Sequence, residues 1–390
     1  DGLVSNNVWA LCEAPDGSLW VGTDGGLTHI SKSGISHYTK QQGLPRNPVL
    51  ALAVDQTGVL WVGTGGGLCS ISDTNVTSYS PADPWYLWKT RAVVAAHDGT
   101  IWIGTNSGLY RMKRNRLVKF TTAHGLPATD IRAIVEDRSG NIWIGTCGGG
   151  LCQIDAKLAA NLAESIISPT LPVSIVVQSF TTNNGLSNNS VWALHQDSEG
   201  VLWIGTEKGL NRLQNGSITR FTTDQGLPDN LVNAIVEDDF GHLWIGHDRG
   251  IYRVAKQQLQ EVATGVLTSV LCDAFTESDG LLSLETNGQK SQPAAIKTRD
   301  GKLCFATTQG VAVLEPRNVP KYNPLPKVVI EQIRVDGIVV FDNGPPAREN
   351  DHPATPYPLS IAVSSDLPLD HTEIRFAPGW GSVLEVTYTA

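Results

Sequence analysis

The chain has 390 residues, 41% of them hydrophobic and 17% charged, and its 29 basic side chains stand against 38 acidic ones for a net charge of −9. That is the composition of an ordinary globular protein with enough chain for a large core, and with no basic stripe it does not suit a nucleic acid partner. No run approaches the ~18 apolar residues that a membrane-crossing helix needs, and no secretory hydrophobic region opens the sequence.

The chain opens on "DGLVSNN", and Met112 is its one methionine, so it is expected to be a piece cut from a longer protein. The first complete pattern is "DGSLWVGTDGGL", Asp16 to Leu27, and close copies return around Trp61, Trp102, Trp143, Trp203 and Trp244. A weaker copy, "DGKLCFATTQGV", carries Cys304 at the tryptophan position. Successive copies lie 41, 41, 41, 60, 41 and 60 residues apart, so two insertions of 19 residues interrupt one period. A period near ~40 with several short strands per unit predicts a β-propeller, because one small sheet cannot bury both its faces alone.

Each unit reads as four strands. In the second, the apolar "PVLALAVD" suits an inner strand covered on both faces. A Gly-containing turn leads to "LWVGT", whose Trp is an apolar plate between blades. A further Gly turn leads to the third strand, and the fourth carries Tyr38, Tyr79, Phe120, Phe180 or Phe221, usually followed by Gly-Leu. The expected fold is therefore all-β: a seven-bladed propeller over residues 1–316, with blade seven lacking its outer strand. In the insertions, Ala156 to Glu164 and Lys256 to Val262 have helix-forming composition, the latter stopped by Gly265. Residues 317–326 form a Pro-rich linker, and 327–390 read as the truncated start of a β-sandwich-like domain with strands in "KVVIEQIRVDG", "TEIRFAP" and "VLEVTYTA".

The repeated "LWVGT.GGL" hairpins with "FTT..GL" connections resemble the two-component-regulator propeller family, the sensor portion of bacterial membrane-spanning signalling proteins. The segments "IYRVAKQQLQEVATG" and "NPLPKVVIEQIRVDG" are similar to that family's passage into its three-tyrosine domain. The resemblance implies an extracytoplasmic, periplasmic sensor that binds a small molecule, with oligosaccharides among the candidates. It also implies a homodimer in the full-length protein, membrane attachment only through downstream segments, and a histidine kinase or diguanylate cyclase module outside this chain. It supplies no catalytic residue and no cofactor.

A propeller's default ligand site is the loop face around its channel. Most approaches to the inner strands read "GLPRN", "GLSNN" or "GLPDN", but unit three has "DPWYLWKTR", which puts Trp85, Tyr86 and Trp88 in a loop as a stacking platform or as channel plugs. Arg91, just inside the next strand, is a candidate to bond a ligand or to form a structural ion pair. The turns between strands two and three supply Asp24, Asn106, Glu207, Lys208, Asp248 and Arg249, variable residues in a constant frame.

Two alternatives stand beside ligand sensing. A protein-interaction scaffold would carry the same repeats, and a propeller lyase would need a metal held by histidines and carboxylates. His242 and His247 flank one strand without an acidic partner at ligand spacing. Of the six cysteines, only Cys147 and Cys152 are close enough in sequence for a disulfide to be considered; the others read as buried thiols.

Overall fold

The computed structural model describes residues 2–79, 89–159, 175–176, 178–288, 291–319, 329–335, 338–342 and 384–389. The chain divides into two compact units, Asp1–Asn318 and Val319–Ala390.

The first unit is a seven-bladed β-propeller. Six blades are four-stranded antiparallel sheets in sequential order, and the seventh has three strands among the described residues. Blade 5 shows the pattern: an inner strand Val191–Gln196, then Leu202–Thr206, Gly209–Gln214 and the outer Ser217–Phe221. Blade 7 holds Ala295–Lys297, Leu303–Thr307 and Gly310–Leu314, and Val313 on its last strand is 55% exposed.

The constant residues have packing reasons. Each tryptophan of the second strand meets the aromatic of its own outer strand, with ring centroids between 5.1 Å (Trp244–Phe275) and 6.4 Å (Trp102–Phe120). Phe275 was not among the outer-strand aromatics expected from the sequence, because the second insertion separates it from its blade. The "GT" glycines of blades 1 to 5 lie against the entry to the inner strand of the next blade. A Cβ on Gly63 would stand 2.5 Å from Thr90 Cγ2, and one on Gly205 would stand 2.5 Å from Val232 Cγ1. Contacts that short do not occur, so a bare backbone lets neighbouring blades close up. The core is accordingly shared between blades: Trp143, Leu151 and Phe180 of blade 4 pack with Val191, Leu202 and Ile204 of blade 5.

The Asp of the Asp-x-x-Gly turn does two jobs. Asp137, Asp197 and Asp238 each accept the backbone N–H groups of their own turn and the indole Nε1–H of the blade's Trp at 2.8 Å. For Asp238, burial pushes the carboxyl up, but the donors on His242, Trp244 and the backbone outweigh it and hold the pKa at about 2. A second bond links blades: an acid or amide ending one inner strand accepts the backbone N–H of the preceding blade's turn. His97 donates to Glu136 at 2.8 Å, Arg138 to Gln196 at 2.8 Å and Ser198 to Glu237 at 2.7 Å. Arg299 N–H donates to Glu13 at 2.9 Å in the same way, and this bond closes the ring between blades 7 and 1.

The connections also have a fixed chemistry. Thr39, Thr181 and Thr222 cap a single 3-10 turn that ends on Gly43, Gly185 or Gly226 in the left-handed region. The Asn of "GLPRN", "GLSNN" and "GLPDN" bonds back to that turn: Asn47, Asn189 and Asn230 accept from Lys40, Thr182 and Thr223 N–H at 2.8, 2.8 and 2.9 Å.

In the second insertion a helix, α1, runs Lys256–Ala263, with Gly265 just beyond at φ 77°. Lys256 Nζ reaches Glu237 at 2.7 Å, Glu199 at 2.8 Å and Asp197 at 3.4 Å, so the insertion is clamped to the turns of blades 5 and 6. In the first insertion residues 156–159 are helical, and the rest of the expected Ala156–Glu164 helix lies outside the described residues.

The second unit shows three strands, Val329–Val335, Ile338–Asp342 and Leu384–Thr389, with the first in the centre. The strand expected in "TEIRFAP" lies outside the described residues.

Candidate functional site

The loop face is where the chain enters each inner strand and where strands two and three turn. The inner strands there share a pattern: a β-branched residue, a variable residue, then Ala. It reads Val8-Trp9-Ala10, Val49-Leu50-Ala51, Thr90-Arg91-Ala92, Ile131-Arg132-Ala133, Val191-Trp192-Ala193 and Val232-Asn233-Ala234. In five blades the pairing register shifts at the variable residue, so it is a β-bulge. In blade 6 Asn233 N–H donates to Gly246, which also pairs with Ala234. A bulge breaks the two-residue alternation and re-aims its side chain. Here it turns the variable residue toward the loop face: Trp9 Nε1–H donates to Asp24 at 2.6 Å and Asn233 Nδ2 donates to Asp248 at 2.7 Å, both on loop-face turns.

Around blades 3 to 6 these residues form a polar arc. Asp130 accepts from Arg132 Nε at 2.9 Å and Nη2 at 2.6 Å, and Arg91 Nε lies 3.6 Å from the same carboxylate. Burial lowers the Arg91 pKa, the nearby Arg132 lowers it further, and Asp130 opposes both; the guanidinium stays charged. Arg132 lies over the Trp192 ring at 5.1 Å. Trp192 Nε1–H and Asn233 Oδ1 are both buried without a hydrogen-bond partner among the described residues.

Ser291–Pro293 bridges the inner strands of blades 1, 2 and 4. Gln292 N–H donates to Leu50 O at 3.3 Å, its side chain accepts from Ile134 N–H at 2.6 Å and donates to Ile134 O at 2.8 Å. Ser291 Oγ donates to Trp9 O at 2.7 Å, and Pro293 O accepts from Leu11 N–H at 3.0 Å.

The structure places the sequence candidates as follows. Arg91 is in the arc and carries the ion pair with Asp130. Asp24 also accepts from Asn7 Nδ2 at 2.7 Å, and Asn106 accepts from Lys89 N–H at 2.9 Å, so Asp24, Asn106 and Asp248 hold the loops in place. Glu207 and Lys208 are exposed, and Arg249 reaches toward Asp229 at 3.7 Å. Trp85, Tyr86 and Trp88 lie outside the described residues. Sequence reading missed Arg132, Asp130, Trp192 and Asn233. The signal was the variable position inside an otherwise constant β-branched–x–Ala triplet, visible once the units are aligned on their bulge.

A second concavity lies on the opposite face, between blades 4 and 5. It has a volume of about 340 Å³ and is lined by Trp143, Gln153, Gln178, Gln196, Gln214 and Asn215 among others. Gln196 already serves the link between these blades, so part of that lining is structural.

Among the described residues no three of His, Cys, Asp and Glu converge as a metal cluster. His242 and His247 are the two ends of one strand; His242 Nδ1 pairs with Asp238 at 3.2 Å and the buried His247 ring packs edge-on against Tyr252. Cys147 and Cys152 are both free thiols, so the disulfide considered for them is not formed. Cys152 is buried on a strand opposite Ile144, and burial pushes its thiol up to about 12.

Five segments of the chain, residues 2–25, 43–66, 125–148, 185–208 and 226–249, match the family described as "Two component regulator propeller". These five segments are similar to that family's repeat over 120 of the chain's 390 residues (five segments of 24). Each matched segment runs from the Gly-Leu connection through the bulge to the loop-face turn, so the variable residues sit inside the family's own unit. The corresponding stretch of blade 3, with "DPWYLWKTR", is not among them. No curated protein sequence matches the chain.

Solved structures agree on the fold. The extracellular domain of the hybrid two-component system BT3049 from B. thetaiotaomicron superposes with a TM-score of 0.68 at 22% identity, over 93% of this chain and 44% of its own length. Virginiamycin B lyase from Staphylococcus aureus gives 0.58 at 13% identity, over 79% of this chain and 94% of its own. PorZ, a surface component of the type-IX secretion system of Porphyromonas gingivalis, gives 0.54 at 14%, over 80% and 46%. The chain thus spans less than half the length of the BT3049 domain.

Proposed function

We propose that this chain is the ligand-sensing, extracytoplasmic region of a bacterial transmembrane signalling protein, taking a small molecule on the loop face of the propeller. The match of five repeats to the two-component-regulator propeller is the observation that carries this reading. The loop-face arc supports it: polar and aromatic side chains converge there on a rigid scaffold. No step of covalent chemistry is assigned to it. The signal would be a population shift between two arrangements of the propeller and the three-tyrosine-like unit that follows, which the bound molecule biases by fitting one better. Dimerisation, attachment to the membrane and a kinase or cyclase output belong to the longer protein in this reading.

A thermal-shift screen of the purified chain against sugars, organic acids and divalent metals, with and without a chelator, tests it. A saturable rise in Tm with one class of small organic molecule is expected. A response only to metal ions would favour lyase-like chemistry, and no response to any compound would favour a protein-binding scaffold.

A further inference from the structure

We infer that the outer edge of blade 7 is a docking edge for one more strand, antiparallel to Gly310–Leu314, which carries an aliphatic residue and, three residues later, an aromatic one. The inference is independent of ligand sensing. Among the described residues Gly310–Leu314 pairs only with Leu303–Thr307, so its other side offers backbone N–H and C=O groups to a further strand.

The other blades show what such a strand must carry. Each sets an aromatic opposite the second residue of its third strand and, in blades 1, 2, 3 and 5, an aliphatic opposite the fifth: Tyr38 on Leu27 and Ile35 on Ile30 in blade 1, Phe221 on Leu210 and Ile218 on Leu213 in blade 5. The same offsets in blade 7 fall on Val311 and Leu314. Both are only half-buried, whereas Leu210 and Leu213 are buried, and Val313 between them is 55% exposed. The glycine that opens the third strand tells the same story. A Cβ on Gly26, Gly209 or Gly250 would stand 2.4–2.6 Å from the carbonyl oxygen of Tyr38, Phe221 or Phe275, but one on Gly310 would meet nothing within 4 Å among the described residues.

The neighbours on both sides agree. Elsewhere the outer-strand aromatic packs with the Leu of the Gly-Leu connection that follows it, as Phe180 does with Leu186 and Phe221 with Leu227. Leu44, Leu126, Leu186 and Leu227 are all buried, and the two half-buried members of this series, Leu281 and Leu3, are those that flank blade 7. Leu282 beside the first is 84% exposed. One apolar strand would cover all of these positions together.

Its source is the stretch that leads into Gly2. A Cβ on Gly2 would stand 2.8 Å from Ile35 of blade 1, as one on Gly43 would stand 3.3 Å from Val76 of blade 2, so Gly2 is seated where an outer strand hands over to the next blade. In the other connections the aromatic lies five residues before that glycine, as Tyr38 does before Gly43 and Phe221 before Gly226.

The test grafts a copy of Ser217–Gln225, "SITRFTTDQ", ahead of Gly2 in place of Asp1, which keeps that five-residue offset. A rise in Tm of about 3 °C or more is expected, with slower hydrogen exchange of the Gly310–Leu314 amides. The same graft with its copies of Ile218 and Phe221 changed to Ser should give neither. The ungrafted chain provides a second reading: the Gly310–Leu314 amides should exchange on average at least tenfold faster than those of Gly209–Gln214, which an outer strand covers. Equal protection of these two strands, no effect of the graft, or an effect that survives loss of its two apolar residues overturns the assignment. Saturable binding of the free nonapeptide beside an inert graft would overturn the stated source, in favour of a strand supplied by a partner.

Discussion

The two faces of the propeller are built from the same strands but obey different rules. On the face of the Asp-x-x-Gly turns, blades 4, 5 and 6 repeat one arrangement almost atom for atom: Asp137, Asp197 and Asp238 all hold the blade's indole at 2.8 Å. On the loop face the same blades present Arg132, Trp192 and Asn233 at one backbone position. Blades that must pack against alike neighbours converge on alike chemistry, whereas the bulge position, outside that repeated packing, is free to differ. The exceptions on the turn face are local. Blade 1 has Ala14 in place of the Asp, and its Trp20 stacks instead on His29 at 3.8 Å; blade 3 has Ala96, and Arg111 lies over Trp102.

The contrast is broken most strongly at the glycines between blades. Gly205→Ala puts a methyl 2.5 Å from Val232 Cγ1 and 2.8 Å from Val232 O, and part of that contact is backbone that cannot move aside. A loss of about 2–3 kcal/mol is expected in urea unfolding. Wild-type-like stability would mean that the blades are not held at this separation.

A smaller effect is expected from the turn aspartate and is read by pH. The folded Asp238 carboxyl sits at about 2, below its ordinary 3.8, so the folded state binds fewer protons in that interval and stability falls as pH falls. The contribution, about 2 kcal/mol, is present above pH ~4 and lost toward pH ~2. Asp238→Asn should be less stable than wild type at pH 7 and should show a shallower decline across the acid window in parallel unfolding curves. Equal slopes for the two proteins would remove Asp238 from the acid response.

The smallest effect belongs to the loop face. Glu207→Ala and Lys208→Ala, exposed and outside any side-chain bond described above, should each change stability by no more than about 0.5 kcal/mol. Asp24→Ala should cost more, because it frees Trp9 Nε1 and Asn7 Nδ2. If the three variants respond alike, the division between positioning and free residues there is wrong.

Period, strand number and blade count were legible in the sequence because each unit repeats the same demands: a Trp plate, a glycine where backbones close up, and turn residues at set offsets. The turn candidates Asp24, Asn106 and Asp248 were visible as variable residues in a constant frame, but variability does not separate a residue that bonds a ligand from one that bonds its own loop. The tertiary structure shows all three accepting hydrogen bonds from neighbouring residues. The bulge was hidden for a different reason. An inner strand buried on both faces reads as one apolar run, and a single extra residue within it leaves the hydrophobic pattern almost unchanged.

What the sequence determined by itself is the ring: self-similar units that cannot bury both faces alone must stack, and their number and strand order follow from the period. What only the tertiary structure decided is which side chains meet across blades. Gln292 reaches Ile134 and Arg91 approaches Asp130 because ring closure brings together residues that are distant along the chain or on different blades, and no local pattern records those meetings.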